Sequence, residues 1–144
     1  IIADCSCGIE PAYSLLFVRQ IWDGSKMLHV NPIFKHVAEK AGFYSEKLER
    51  HIAKTGSIDK ITAIPSKIRQ IFRCAYDIKP QWHIRMQAAF QQHCDAAVSK
   101  TINFSEKAAP SDIDKAYKLA YQLGCKGLTA YRRHSRDCEP MSLY

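Results

Sequence analysis

Apolar residues recur every three or four positions along residues 81–98, a spacing that puts them on one face of a helix. The side chains on that face are Trp82, Met86, Ala89, Phe90, His93, Cys94 and Ala97. Pro80 suits the first turn of such a helix, where a missing N–H costs nothing. The pattern therefore predicts an amphipathic helix that starts at Pro80 and buries this face.

A second periodic stretch carries signals for both ends of a helix. Ser111 is the predicted N-cap, with Asp114 three residues later, and Gly124 stands where a left-handed C-cap is wanted. The predicted buried stripe consists of Ile113, Ala116, Tyr117, Ala120 and Leu123. Residues 101–104 and 127–131, which follow the two helices, read as strands. Two successive helix–strand units predict parallel strands with helices packed outside them.

The first half of the chain is predicted as a strand end and loop, a hairpin and several short helices. Asp23-Gly24 lies between extended runs at 13–21 and 26–30, which is a strong hairpin signal. Short helices are predicted at residues 32–41 (capped by Asn31), 45–54 (capped by Ser45) and 65–75 (opened by Pro65). Their inward side chains include Ile33, Phe34, Val37, Ala41, Leu48 and Ile52. The pattern thus divides the chain into residues 1–31, 32–79, 80–132 and a loose tail, 133–144.

Composition places this chain among ordinary globular proteins. Its 144 residues contain no apolar run of the ~20 residues that a membrane span needs. A chain that opens on Ile1-Ile2-Ala3 is expected to be a piece of a longer one. The six cysteines form no CxxC pair, which favours reduced thiols in the cytoplasm. The net charge of +7 is compatible with nucleic-acid binding, with a phosphate-bearing ligand, or with solvated helix faces, which we favour because the charges are spread over every helix.

Metal and nucleophile chemistry receive little support from residue spacing. His83 and His93 lie about 280° apart around a helix and share no face. Cys94 on an apolar stripe is expected to be a small core residue. Cys5 and Cys7, in a loop, are better placed for reactivity, although a structural role is favoured there too. No metal site is therefore predicted.

Two polar features on apolar segments are better candidates for binding. Ser6-Cys7-Gly8 follows a strand, where free backbone N–H groups can face a phosphate. Asn103 and Thr129 interrupt apolar strands, so they line either a closed barrel interior or the solvent side of an edge strand.

Several segments together resemble adenosylcobalamin-dependent (class II) ribonucleotide reductases. IADCSCGIEP at residues 2–11 is similar to that family's IADCSSGIEP, AVSKTINF at 97–104 to its AVSKTINL, and GCKGLTAYR at 124–132 to its GCKGITVYR. WHIRMQAAFQ at 82–91 resembles its long helix, and SRD at 135–137 its SRD. The resemblance covers nearly the whole chain in the same order.

The resemblance implies a helix-rich α/β fold, the C-terminal fragment of a ten-stranded α/β barrel. In that family, adenosylcobalamin starts thiyl-radical chemistry that reduces the 2′-hydroxyl of a ribonucleotide. The reacting cysteines and the phosphate loop lie upstream of the matched segments, so the resemblance implies no catalytic residue and no bound cofactor in this chain. The isolated chain is expected to be inactive. Its implied partners are the missing N-terminal part of the enzyme, the ribonucleotide and a thioredoxin-type reductant. A separate interpretation is a truncated chain that associates with a second copy of itself through exposed strand edges.

Site residues follow from the same resemblance. Ala3, Asp4, Ser6 and Gly8 are expected to flank the substrate phosphate loop, and Asn103, Thr129 and Tyr131 to line the barrel cavity. The family's YRDGSRD becomes YRRHSRD at residues 131–137. His134 replaces the turn glycine, so the family's usual turn conformation is not assured at this position. The alternative from another class is a free-standing basic helical module that binds nucleic acid.

Overall fold

The computed structural model describes residues 8–20 and 26–135, which fall into two compact units. The first unit comprises Pro11–Asp77, and the second comprises residues 8–10 and 78–135. Each unit has its own hydrophobic core.

The first unit begins with the predicted hairpin. Strands β1 (Leu16–Gln20) and β2 (Lys26–Val30) pair antiparallel, with Leu16 opposite Val30. The Asp23-Gly24 turn lies outside the described residues. β1 starts later than the predicted run because the Ser14 hydroxyl donates to Leu16 O (2.6 Å) and accepts from Leu16 N (3.2 Å). Such a local side-chain-to-backbone turn competes with a strand ladder.

Three short helices complete the first unit: α1 (Pro32–Lys40), α2 (Glu46–Thr55) and α3 (Ser66–Ile71). Both predicted caps are confirmed, since Asn31 accepts from Phe34 N (2.9 Å) and Ser45 from Leu48 N (3.2 Å). The third helix is shorter than predicted. It ends at Ile71, and a separate 3-10 helix, Ala75–Asp77, follows. The Asp77 carboxylate accepts from Cys74 N (2.9 Å), so a new turn forms there instead of a continued helix.

The core of the first unit is centred on Phe34. Its ring lies 5.3 Å from that of Phe72 in an edge-to-face arrangement, and Leu48 and Ile52 are buried in the same cluster as predicted. The predicted inward face of α1 is partly wrong. Ile33 is 68% exposed and Ala41 is exposed, whereas Ala38, four residues after Phe34, is buried.

The second unit is built from two parallel strands and two helices. The strands are β3 (Thr101–Phe104) and β4 (Thr129–Arg132), and the helices are α4 (Pro80–Gln91) and α5 (Pro110–Gln122). The parallel pairing confirms the sequence prediction. Ile102 and Phe104 of β3 are buried with Ile84 of α4 and Ala116 and Ala120 of α5. The helices therefore cover one face of the strand pair.

The predicted face of α4 is wrong. Trp82 (58%), Met86 (49%) and Phe90 (47%) are exposed, while the opposite face is buried. The buried residues are His83, Ile84, Gln87, Ala88 and Gln91. The helix also ends at Gln91 and not near residue 98, and Cys94 is exposed instead of lying in the core. The Gln91 side chain causes both differences, because it donates to Cys94 O and Ala96 O (2.9 Å each) and folds the chain back as a loop.

The start of α5 lies two residues before the predicted one. Ala109 is the N-cap and Pro110 occupies the first helical position, where its fixed φ fits the helix. The Asp112 carboxylate accepts from Ala109 N (3.1 Å), so Ser111 is not the cap. Tyr117 is half exposed, contrary to the predicted stripe. Gly124 has φ +76°, which confirms the left-handed helix end.

Candidate functional site

The candidate site is the polar face of the β3–β4 pair. Side chains alternate between the two faces of a strand. Because Ile102 and Phe104 face the helices, Thr101 and Asn103 project from the opposite face. The parallel register places Thr101 beside Thr129 and Asn103 beside Tyr131. The structure thus brings Asn103, Thr129 and Tyr131, the predicted cavity-lining residues, together on one face.

Among the four residues expected beside the phosphate loop, only Gly8 is described. Ala3, Asp4 and Ser6 lie outside the described residues. Gly8 is exposed and has φ +55°, a conformation that glycine adopts at little cost. The last residue of the Ser6-Cys7-Gly8 segment therefore adopts the left-handed conformation typical of a turn.

Glu10 fastens the segment after Gly8 to the start of β3. One carboxylate oxygen accepts from Thr101 N at 2.5 Å, and the other accepts from the Lys100 ammonium. The Lys100 ammonium also donates to Thr101 O (3.1 Å), and its side chain is only 1% exposed. We call Glu10, Lys100 and Thr101 the Glu10 anchor. Sequence reasoning missed it, because no periodic pattern links residues 90 positions apart; its only sequence signal was that all three residues fall in the family-like segments.

Buried glutamines of α4 hold the loops that lead into both strands. The Gln87 amide donates to Val98 O (2.9 Å) and to Gly127 O (2.8 Å), one in the approach to β3 and one in the approach to β4. Gln91 accepts from Val98 N (3.2 Å). The strand register therefore depends on polar side chains from the helix as well as on apolar packing.

The turn after β4 is held against the β3–α5 loop. Arg133 N donates to Phe104 O (3.0 Å). His134 has φ +57° and is the only non-glycine residue with positive φ in the described part of the chain. Its Nδ1 lies 2.8 Å from a Glu106 carboxylate oxygen, and this interaction lowers the pKa of Glu106. His134 thus adopts a left-handed turn conformation that a glycine would favour.

The cysteines that the structure describes are all free, and their environments differ. Cys74 is buried in the first unit, and burial raises the pKa of its thiol to about 12. Burial also raises the pKa of Cys125, whereas Cys94 is exposed. Over residues 8–20 and 26–135, no three His, Cys, Asp or Glu side chains converge as a metal site. The buried thiol of Cys74 is unsuited to nucleophilic chemistry, since the thiolate is the reactive form.

Charged side chains on the helices mostly pair within their own helix. Lys35 pairs with Glu39, Arg50 with Glu46, and Lys118 with Asp114, each one turn away. This is the pattern of solvated helix faces. None of the described helices combines the length and the apolar character that crossing a bilayer requires.

Comparison with known proteins places this arrangement in a family. The family model for the ribonucleotide reductase barrel domain matches residues 1–131. A vitamin B12-dependent ribonucleoside-diphosphate reductase of Thermoplasma acidophilum is 44% identical over 99% of this chain and 18% of that protein. One from Mycobacterium tuberculosis (strain H37Rv) is 41% identical over 99% of this chain and 20% of that protein. The chain thus spans about a fifth of the length of these curated relatives.

A solved structure supports the same fold. The alpha subunit of a class Id ribonucleotide reductase from Actinobacillus ureae superposes with a TM-score of 0.72 at 20% identity, over 88% of this chain and 22% of that one. The nucleic-acid-binding alternative gains nothing from these comparisons. Because the family model matches nine-tenths of the sequence and the structural likeness agrees with it, the chain belongs to the ribonucleotide reductase barrel-domain family.

Proposed function

We propose that this chain is the C-terminal part of the ten-stranded catalytic barrel of a vitamin B12-dependent ribonucleotide reductase. The barrel would reduce ribonucleotides to deoxyribonucleotides. The observation that carries the proposal is the arrangement of β3 and β4: parallel strands with helices on one face and Asn103, Thr129 and Tyr131 on the other. In a closed α/β barrel, the face opposite the helices lines the interior.

Within this proposal, residues 80–132 supply two helix–strand units of the barrel wall, and residues 1–31 and 32–79 form the preceding loop, hairpin and short helices. Ala3, Asp4, Ser6 and Gly8 flank the loop that binds the substrate phosphates. Asn103, Thr129 and Tyr131 present hydrogen-bonding groups to the cavity. Their role is to orient the nucleotide and to exclude water, because none of them is a cysteine, the residue type on which the thiyl-radical chemistry depends.

The named relatives depend on vitamin B12, so adenosylcobalamin is the cofactor we propose for the intact enzyme. Cobalamin carries its cobalt in its own corrin ring, so the lack of a three-ligand cluster among the described residues has no bearing on its binding, and we assign none of these residues to the cofactor. The remaining partners in this proposal are the N-terminal part of the enzyme and a thioredoxin-type reductant. The proposed location is the cytoplasm, where thiols stay reduced. Self-association through exposed strand edges is a further expectation.

The proposal is tested in the full-length reductase that carries this chain. Asn103→Leu removes a polar group from the cavity face, and Thr129→Val removes another at nearly constant volume. Thr62→Val is the matched control, because Thr62 is an exposed threonine in the first unit. We expect kcat/KM for the ribonucleotide to fall by about tenfold for Asn103→Leu, since lost positioning contacts carry costs of this order, and to stay unchanged for the control.

Two results would count against the proposal. One is wild-type kcat/KM in both cavity-face variants. The other is deoxynucleotide formation by the isolated 144-residue chain when cobalamin coenzyme, dithiol and nucleotide are supplied, because the reacting residues are proposed to lie elsewhere.

A further inference from the structure

The Glu10 anchor is a partly buried contact between two segments that are far apart in the sequence: the Lys100 side chain is 1% exposed and the Glu10 side chain 28%. Lys100 and Glu10 are 90 residues apart, and the lysine side chain is almost fully enclosed. Each carboxylate oxygen of Glu10 has a different donor, the Lys100 ammonium and the Thr101 backbone N–H. Two separate bonds fix both the position and the rotation of the carboxylate.

The anchor also occupies both backbone groups of Thr101. Thr101 N donates to Glu10, and Thr101 O accepts from Lys100. Within the described residues, β3 pairs only with β4. The anchor therefore supplies hydrogen bonds to the first residue of β3 from side chains, and it ties residues 8–10 to one register on that strand.

A contribution to folding stability does not by itself explain the Glu10–Lys100 ion pair. Removing the Lys100 ammonium from water is costly, and replacing a buried ion pair by apolar side chains of similar volume is often neutral or stabilising. What an apolar replacement cannot reproduce is the directional bond to Thr101 N. The specific contribution of the anchor is thus the placement of the segment that precedes Glu10.

We propose that Glu10 and Lys100 are positioning residues for substrate phosphate binding. They hold residues 8–10 at Thr101 of β3, two residues before Asn103 of the cavity face. This inference rests on the proposed function, which places Ala3 to Gly8 beside the phosphate loop. Neither side chain touches the substrate. Their effect is transmitted through Ile9, the one residue between Gly8 and Glu10, and through the start of β3.

The test uses the full-length reductase and three variants. Glu10→Gln keeps the shape of the side chain and removes its charge. The double variant Glu10→Leu/Lys100→Met replaces the ion pair by apolar groups, so the unfolding temperature is expected to stay near that of the wild type. Lys118→Met is the matched control, because it removes one partner of the exposed Lys118–Asp114 pair. For each variant, KM, kcat and the Kd values of a ribonucleoside diphosphate and of its nucleoside are measured.

We expect the double variant to raise KM and Kd for the diphosphate by about tenfold or more, since a displacement of about 1 Å in a positioning element can cost up to about 100-fold. The kcat at saturation and the Kd of the nucleoside, which has no phosphate, should change less than twofold. Glu10→Gln should act in the same direction, and Lys118→Met should match the wild type.

The outcomes separate this inference from the proposed function. Unchanged Kd for the diphosphate in the double variant would overturn the positioning role alone. An equal loss of affinity for the nucleoside and the diphosphate, together with a lower unfolding temperature, would also overturn it, because that result marks a general structural role. A wild-type enzyme that binds and reduces no nucleotide would overturn the proposed function and this inference with it.

Discussion

Replacement of Gln87 by methionine should loosen the approaches to both parallel strands. The Gln87 side chain is fully buried, and its amide nitrogen donates to Val98 O and Gly127 O at 2.9 and 2.8 Å. Methionine has a similar volume, so the change removes two hydrogen bonds without opening a large cavity. Val98 is only half-buried and Gly127 is exposed, so their carbonyls can regain water. The net value of a hydrogen bond, about 0.5–1.5 kcal/mol, therefore applies to each.

The expected loss in the free energy of unfolding is then about 1–3 kcal/mol for the two bonds together. A partial offset comes from the Gln87 side-chain oxygen, which is buried and has no hydrogen-bond partner among the described residues. Removing an unsatisfied buried acceptor recovers part of its desolvation cost. We therefore expect a destabilisation at the lower end of this range, about 1 kcal/mol, which corresponds to a decrease of about 0.5 M in the urea midpoint if the m-value is about 2 kcal/mol/M.

The measurement must resolve the second unit, because the chain has two compact units. Hydrogen exchange of the β3 and β4 amides in the native state reports the opening of that unit separately from the first. Gln81→Met is the control, because Gln81 is an exposed glutamine on the same helix. Equal protection of β3 and β4 in Gln87→Met and in the wild type would refute the view that this side chain holds the two loops.

Two further predictions concern titration and thiol reactivity. The pKa of Glu106 should lie below the ordinary glutamate pKa and rise toward it in His134→Gly. Because the pKa is lowered in the folded state, Glu106 stabilises the protein at pH values above the ordinary glutamate pKa. This contribution is lost as the pH falls through the pKa of the folded state. NMR titration of its carboxyl carbon measures this, and an identical midpoint in both proteins would contradict it. Alkylation near pH 8 with peptide mapping should label exposed Cys94 much faster than Cys74, whose pKa is raised to about 12; equal rates in the native protein would contradict the assignment.

Local signals predicted the elements of this chain well. β3 has the predicted limits, Thr101–Phe104, and the caps at Asn31 and Ser45 form the predicted bonds. These features depend on interactions within a few residues, which the sequence displays directly. Gly124 belongs to the same class, because the need for a positive φ at a helix end is local.

Contacts between distant segments were beyond the reach of periodicity. The Glu10 anchor joins segments 90 residues apart, and the amide of Gln87 reaches Gly127, 40 residues away. A buried glutamine or lysine looks like a surface residue in a hydrophobicity pattern. Only the folded chain reveals which backbone groups it satisfies. Asn103 and Thr129 could be singled out from the sequence because they are polar residues on apolar strands, whereas the hydrogen bonds of Glu10 and Gln87 to distant backbone groups could not.

Helix α4 shows why a correct helical period can lead to a wrong prediction of which face is buried. Trp82, Met86 and Phe90 share one face, as their spacing predicts, and that face is exposed. A period identifies which side chains lie together, whereas burial depends on what packs against them. The opposite face of α4 is covered by β3 and α5, and its buried glutamines are accepted there because their amides bond to loop carbonyls. Polar groups that find such partners can occupy a buried face at little cost, so hydrophobicity alone does not choose between the two faces.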